Sequence, residues 1–215
     1  TEQIKKLYCE QSLWLNYSTN NSMGIIKPDY KIKLICGILF NPEWCRQKFN
    51  LNSLNEITGY INTNLVNSLS THTNKQFTID SQSEIIQFNF TDYYNEEMGE
   101  EILRYWVSFS PVIEAEKLHK IKILTNEIEQ KFFTDQNKNR KINLDPGYIE
   151  GSKLVLFSTK NYSHRIYLDE GIFAEVTLIY KNKKFNFLEW TYPDYKTNIA
   201  LEFFTKVREL SLIHI

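Results

Sequence analysis

The chain has few cysteines, which cross-link small proteins through disulfides, and few glycines, which form phosphate-binding loops. Its 215 residues include three cysteines, seven glycines and five prolines. The cysteines, Cys9, Cys36 and Cys45, are odd in number and form no CxxC pair, so neither a disulfide framework nor a structural zinc site is expected. A reducing, cytoplasmic compartment fits this pattern best, with Cys36 as a small core residue. No GxxxxGK[ST], GxGxxG, HExxH or GxSxG motif is present, which excludes the common phosphate loops and hydrolase signatures.

An excess of one charge and a long apolar run are also absent. Basic residues number 25 and acidic residues 26, for a net charge of -1, so the overall charge favours neither nucleic acid nor an anionic membrane. The longest apolar run, residues 34–40, is too short to span a bilayer, and no membrane partner is expected. The chain is instead 42% hydrophobic and 14% aromatic, which is typical of a globular protein with its own core.

The two ends of the chain are interpreted as lying outside the folded domain. Met23 is the better natural start, so residues 1–22 are interpreted as a non-native or disordered extension. Residues 210–215 (LSLIHI) resemble the translation of a sequencing adapter and are interpreted as an artefact. Residues 23–209 are predicted to form a single α+β domain. The abundance of Ile, Asn, Lys, Phe and Tyr is typical of an AT-rich bacterial genome and suggests a metagenomic origin.

The hydrophobic pattern predicts alternating strands and helices. Lys31–Phe40 is apolar at nearly every position after Lys33, which indicates a central strand covered on both faces. Ser53 and Glu56 form a capping box ahead of an amphipathic helix. Further strands are expected at residues 86–90, 105–109, 141–144, 164–168, 172–180 and 185–192. Helices are expected at 114–133 and 198–209, and a helix or a strand at 152–159. A loop is expected at 68–75 and a hairpin tip at 181–183.

The order strand, helix, strand, strand, helix, strand predicts a ferredoxin-like βαββαβ antiparallel sheet. C-terminal strands and a terminal helix are expected to extend it.

Polar residues capable of chemistry concentrate at predicted strand ends. Asp92 and Glu97 form a candidate metal-binding or acid–base pair; alternatively, Asp92 caps a turn and Glu97 is solvated. Asp145 lies in an Asp-Pro-Gly sequence that predicts a tight turn closing the fourth strand. There it either bonds nearby backbone N–H groups or joins Arg140 in a site.

His164 and Arg165 open a predicted strand, where alternation sends their side chains to opposite faces. His164 is either a general acid–base group or a hydrogen-bonded structural residue. Arg165 either clamps an anionic group or pairs with Glu175 or Asp194.

The same segments resemble a known family. Residues 91–99 (TDYYNEEMG) are similar to the first signature of an uncharacterised prokaryotic group, domain of unknown function 4416. Arg104, Lys122 and Glu129 also match its pattern. Its C-terminal signature resembles residues 140–149 (RKINLDPGYI), 164–168 (HRIYL), 171–180 (GIFAEVTLIY) and 190–195 (WTYPDY).

This resemblance spans roughly residues 31–208 and implies a cytoplasmic protein without an established activity. Members are sometimes labelled GTP-binding, a label at odds with the missing phosphate loop. A longer Asn-, Ser- and Thr-rich stretch at residues 62–77 departs from the pattern and is interpreted as a surface insertion.

Three functional hypotheses follow. The first is a cleft that binds an anionic small molecule or nucleotide, with or without a divalent metal ion and with enzymatic activity left open. Its candidate catalytic residues are His164, Asp145 and Glu175, and its candidate ligand-binding residues are Arg140, Lys160, Arg165, Tyr148, Asp92, Glu97, Trp190, Tyr192 and Asp194. The second is a non-enzymatic RNA- or protein-interaction module with an aromatic sheet face formed by Tyr93, Tyr94, Tyr148, Trp190, Tyr192 and Tyr195. In the third, these polar residues are mainly structural and form buried networks that hold two sheet layers together.

Overall fold

The computed structural model describes residues 30–212, which contain ten strands and five α-helices. The described residues from Lys31 onward belong to one compact unit. The interpretation of residues 1–22 lies outside the described residues, as do residues 213–215 of the segment 210–215 that was interpreted as an artefact. The strands are β1 Lys31–Phe40, β2 Thr78–Gln82, β3 Ile86–Gln87, β4 Leu103–Ser110, β5 Ile113–Glu114, β6 Ile142–Ile149, β7 Lys153–Ser158, β8 Ile166–Asp169, β9 Ile172–Lys181 and β10 Lys184–Phe187. The helices are α1 Pro42–Phe49, α2 Leu54–Thr73, α3 Asn95–Met98, α4 His119–Phe132 and α5 Asn198–Leu212, with a 3-10 helix at Asp194–Lys196.

The ten strands form one sheet in which every paired neighbour is antiparallel. Its order is β10-β9-β7-β6-β1-β4-β2, with β3 beside β4, β5 beside β1 and β8 beside β9. β1 lies between β6 and β4, so that Gly37 is opposite Asp145 on one side and Trp106 on the other. The predicted central strand and the α+β class are therefore confirmed.

Helices cover both faces of this sheet, which is why β1 is buried on both sides. On one face, Leu34 of β1 packs with Ile61 of α2 and Ile128 of α4. On the opposite face, Ile35 packs with residues of α5 that include Phe204. No helix among residues 30–212 combines the length and apolar character needed to cross a membrane.

The first long helix begins as its capping box predicts and ends later than expected. Ser53 Oγ accepts a hydrogen bond from the Glu56 N–H, and the Glu56 carboxylate accepts one from the Asn52 N–H. The helix then continues to Thr73, with Leu65 and Leu69 buried in the core. The prediction of a loop at residues 68–75 is wrong, because the apolar stripe persists among the polar residues. The stretch at 62–77 does not lie wholly on the surface either, since Leu65, Leu69 and Phe77 are buried.

The Asp-Pro-Gly sequence does not end a strand, which corrects the predicted turn. β6 runs through it to Ile149 and pairs with β1 along this length. The Leu144 N–H and C=O both bond to side chains of α4 rather than to β1. Pro146 lies two residues further along and directs its nitrogen to the same side, so its missing N–H removes no bond from the β1 ladder.

Several other boundaries differ from the sequence predictions. Residues 78–82 form the strand beside β4, while the predicted strand at 86–90 shortens to Ile86–Gln87 because Phe88 and Phe90 join a separate apolar cluster. Residues 113–114 pair with β1 before α4 starts. Residues 153–158 form a strand, and β10 ends at Phe187 rather than at 192. The hairpin tip is confirmed, with Asn182 and Lys183 both at positive φ as a two-residue turn requires.

Candidate functional site

The candidate site lies where β6 and β7 part. The two strands pair only over Gly147–Ile149, so the edge of β6 is open at Leu144. There α4 replaces the missing strand: the Leu144 N–H donates to Glu129 Oε1 at 2.6 Å, and the Leu144 carbonyl accepts from Lys122 Nζ at 2.7 Å. The backbone of the open edge is thus satisfied without closing the space beside it.

Two adjoining chambers occupy this space. The first has a volume of about 400 Å³ and is mainly apolar, and the second has about 350 Å³ and is mainly polar. Both volumes fall within the range of small-molecule pockets. The shared wall is formed by Tyr93, Tyr94, Asp145, Phe157, Ser158, Lys160 and Tyr192. The first chamber also has Phe88, Phe90, Arg104, Tyr162, Arg165, Glu175, Asp194 and Tyr195, and the second Lys122, Asn126, Glu129, Gln130, Arg140, Asn143 and Thr159.

Arg104 forms the polar floor of the first chamber. It is 2% exposed, although its strand is otherwise largely apolar. Its guanidinium donates to Asp145 at 3.1 Å and to the Tyr195 hydroxyl at 3.0 Å, and its Nε lies 3.1 Å from Asp194 Oδ2. Gly37 makes room for it, because a Cβ there would lie 2.7 Å from the guanidinium.

The two carboxyl groups beside Arg104 differ in acidity. Burial alone would raise the pKa of Asp145, but the Arg104 and Lys122 cations and the hydrogen bonds from Asn143 and Arg104 hold it below its ordinary value. Burial raises the pKa of Asp194, and the Arg104 cation offsets only part of that rise. Where the surroundings give two carboxyl groups different pKa values, one group can act as an acid and the other as a base within the same site.

Arg140 is held entirely by neighbouring groups at the far wall of the second chamber. It donates to both Glu97 carboxylate oxygens at 2.7 and 2.8 Å, to Glu129 at 3.0 Å and to Asn143 at 3.0 Å. Hydrogen bonds from Arg140 lower the pKa of Glu97, whereas burial raises that of Glu129 despite the Lys122 and Arg140 cations. Four of its five N–H donors are engaged by these groups, so Arg140 shapes the wall rather than offering a free cation.

His164 and Arg165 meet at one carboxylate. Arg165 Nε donates to Glu175 Oε2 at 2.7 Å, and His164 Nε2 lies 3.1 Å from the same oxygen. The prediction of opposite faces is wrong because β8 begins only at Ile166 and both residues precede it, in a turn. The remaining Arg165 donors bond Ser158, the Lys160 carbonyl and the Tyr192 hydroxyl.

Lys160 stands at the boundary between the chambers. Its Nζ donates to the Tyr93 hydroxyl at 2.9 Å and lies 4.4 Å from the centre of that ring. Both side chains are exposed, and no carboxylate within residues 30–212 forms an ion pair with Lys160. It therefore remains a cation available to a ligand.

The structure brings together only some of the residues predicted from sequence. Lining the first chamber are Asp145, Lys160, Arg165, Glu175, Tyr192 and Asp194, and Arg140 lines the second. His164 and Trp190 stack at 4.8 Å and line a separate, shallow depression. Tyr148, Asp92 and Glu97 line neither chamber. Asp92 accepts a hydrogen bond from Asn95 in its own turn, and Glu97 acts through Arg140.

Sequence reasoning did not assign roles to Arg104, Lys122 and Glu129, which it noted only as family-pattern residues. A usable signal was present for Arg104, since an arginine inside an otherwise apolar strand needs a buried partner. Phe88, Phe90 and Tyr162 were also missed as lining residues.

The family model for Domain of unknown function (DUF4416) matches residues 51–210. The chain belongs to the DUF4416 family. The match includes Arg104, Asp145 and Lys160, so both chambers are built largely from residues within the family's boundaries. No curated protein and no solved structure matches this DUF4416 chain.

Proposed function

We propose that the two chambers together bind one small molecule that carries a planar ring and an anionic group, as a nucleotide does. The observation that carries this proposal is the junction of an aromatic chamber with a polar one at Lys160, an exposed cation that forms no ion pair within residues 30–212. A ligand with two chemically different ends matches such a junction.

The first chamber suits a ring. Phe88, Phe90, Tyr94 and Tyr192 present apolar faces and edges that can pack against a planar system. At its floor, the buried Nε of Arg104 lies 3.1 Å from Asp194 Oδ2, although the two atoms are not aligned for a hydrogen bond.

The second chamber suits the anionic end. Lys160 supplies the charge, while the side-chain amides of Asn126 and Gln130 make no hydrogen bond within the described range. Arg140 and Arg165, named as anion ligands by the sequence hypothesis, use their donors on Glu97, Glu129 and Glu175. In the proposal these arginines position the walls, and Lys160 replaces them as the principal anion ligand.

A thermal-shift titration of the full chain with nucleoside monophosphates tests this function. A ligand at 100 times its Kd adds about 2.7 kcal/mol, which corresponds to a rise in Tm of about 5–10 °C for a domain of this size. Lys160→Gln is expected to remove most of that rise. The matched control Lys206→Gln, on the exposed surface of α5, is expected to keep it. Equal shifts for Lys160→Gln and the control, or no shift in the parent, would contradict the proposal.

An RNA-binding sheet face is an alternative outcome of the same experiment. Tyr93, Trp190 and Tyr192 are exposed, but Tyr195 is 1% exposed and belongs to the core. Stabilisation by single-stranded RNA but not by mononucleotides would favour that alternative.

We also propose a ferredoxin-like core within the larger sheet and a cytoplasmic location. The order β6-β1-β4-β2, antiparallel throughout, supports the first, with α2 and α4 packed on a common face. The free, buried thiols of Cys36 and Cys45 support the second.

A further inference from the structure

A second group of ligating side chains lies outside both chambers, where the start of α4 meets the β8–β9 turn. His119 Nε2 is 3.2 Å from Glu170 Oε1 and 3.9 Å from Asp169 Oδ2. One ligand atom from each residue lies within 4.8 Å of the others. Among residues 30–212, no other set of three or more His, Cys, Asp or Glu residues has such spacing.

We propose that His119, Asp169 and Glu170 form a binding site for a first-row divalent metal ion of the zinc class. Zinc binds imidazole nitrogen and carboxylate oxygen at about 2.0–2.2 Å, so the atoms around it lie about 3–4 Å apart. The two measured separations, 3.2 and 3.9 Å, already have this spacing. An imidazole nitrogen favours such a metal over Mg²⁺ or Ca²⁺, which prefer an all-oxygen shell.

Packing, rather than the polar contact itself, holds the two segments together. Leu118, next to His119, packs against Val155, Phe157 and Ile172 at the start of β9. This apolar contact places the imidazole beside the turn without any contribution from the carboxylates.

In the cluster of His119, Asp169 and Glu170, the histidine is buried and the two carboxylates are exposed to solvent. The His119 side chain is 10% exposed, whereas those of Asp169 and Glu170 are 62% and 54% exposed. Asp169 Oδ1 accepts the Glu170 N–H at 2.8 Å, which leaves Oδ2 to face the imidazole. A metal can therefore enter from solvent and complete its shell with water, as sites with three protein ligands do.

Titration of Zn²⁺ into the chelator-treated full chain, followed by calorimetry, tests this site. The parent is expected to bind one equivalent saturably, with no comparable heat from Ca²⁺. Asp169→Asn and Glu170→Gln change exposed side chains that threaten the fold little, and each is expected to weaken Zn²⁺ binding at least about tenfold. His119→Gln is expected to abolish binding, as judged also by the loss of visible absorption from bound Co²⁺.

His72→Gln is the matched control, because it removes an exposed imidazole of α2 that lies outside the group. It is expected to bind Zn²⁺ like the parent. The proposal is overturned if the parent binds no Zn²⁺, or if Asp169→Asn and Glu170→Gln bind as tightly as the parent. The first result would identify the contact as an ordinary histidine–carboxylate ion pair. Neither result bears on the nucleotide cleft, since none of the three residues lines it.

Discussion

Replacing Arg104 by methionine removes the cation at the floor of the cleft while keeping a side chain of similar length. In the parent, the guanidinium lies 3.1 Å from both Asp145 and Asp194 and is 2% exposed. Removing one partner from a buried ion pair costs about 3–5 kcal/mol, because the remaining charge is left uncompensated. Since two carboxylates lose their cation here, we expect Arg104→Met to lower the free energy of unfolding by at least that amount at pH 7.

The size of this loss should depend on pH. In the parent, the lowered pKa of Asp145 provides stability above the ordinary pKa of aspartate, and that stability is lost as pH falls through the lowered value. Without Arg104, burial is expected to raise the pKa of Asp145 above its ordinary value and to raise that of Asp194 further than in the parent. Protonation then relieves the buried charges in the variant, so the difference between variant and parent should shrink from pH 7 to pH 4.5.

Urea unfolding followed by circular dichroism at the two pH values measures this difference. Arg46→Met is the control, because the Arg46–Glu43 pair is exposed by 41% and 59% and should contribute about 0–1 kcal/mol. A loss for Arg104→Met no larger than the control, or a loss of equal size at both pH values, would refute the assignment of Arg104 as a buried counter-ion.

Five further substitutions, at four positions, test other parts of the structure by thermal unfolding. Gly37→Ala should lower the free energy of unfolding by about 1–3 kcal/mol, because the new Cβ crowds Arg104. Gly59→Ala places its Cβ where no atom lies within 4 Å, so it should stabilise α2 by about 0.5–1 kcal/mol. Changes in the free energy of unfolding of the same sign for both variants would contradict this. Ser53→Ala should cost about 1 kcal/mol by removing the helix cap, and Ser53→Thr should restore most of it. Phe204→Ala should cost about 3–5 kcal/mol because the ring is fully buried, and a loss below 1 kcal/mol would show that α5 is not part of the core.

The sequence predicted those features of the fold that depend only on residues close to one another in the chain. The apolar run of β1, the Ser53 cap and the β9–β10 turn each depend on neighbouring residues, and each was predictable. The Asp-Pro-Gly sequence was misread because its conformation depends on Lys122 and Glu129, which satisfy the open strand edge from a helix. A turn motif by itself does not reveal such distant partners.

The sequence predicted which region contains the candidate site, but not which role each residue has there. Asp145, Glu175 and Asp194 do line one chamber, as their clustering in the sequence suggested. The availability of each cation depends on its partners: Arg140 is neutralised by Glu97, 43 residues away in sequence. Such pairing is a long-range property, which is why Arg104 was overlooked and the Arg140–Glu97 pair was not anticipated, although the Arg165–Glu175 pair was one of the predicted alternatives.

The most direct test of the two-chamber cleft is calorimetric comparison of a nucleoside monophosphate with its two fragments, the nucleoside and inorganic phosphate. If one ligand occupies both chambers, the monophosphate should bind the parent more tightly than either fragment. Lys160→Gln should reduce its affinity to about that of the nucleoside. Equal affinities for monophosphate and nucleoside in the parent, or an unchanged monophosphate affinity in Lys160→Gln, would contradict the account.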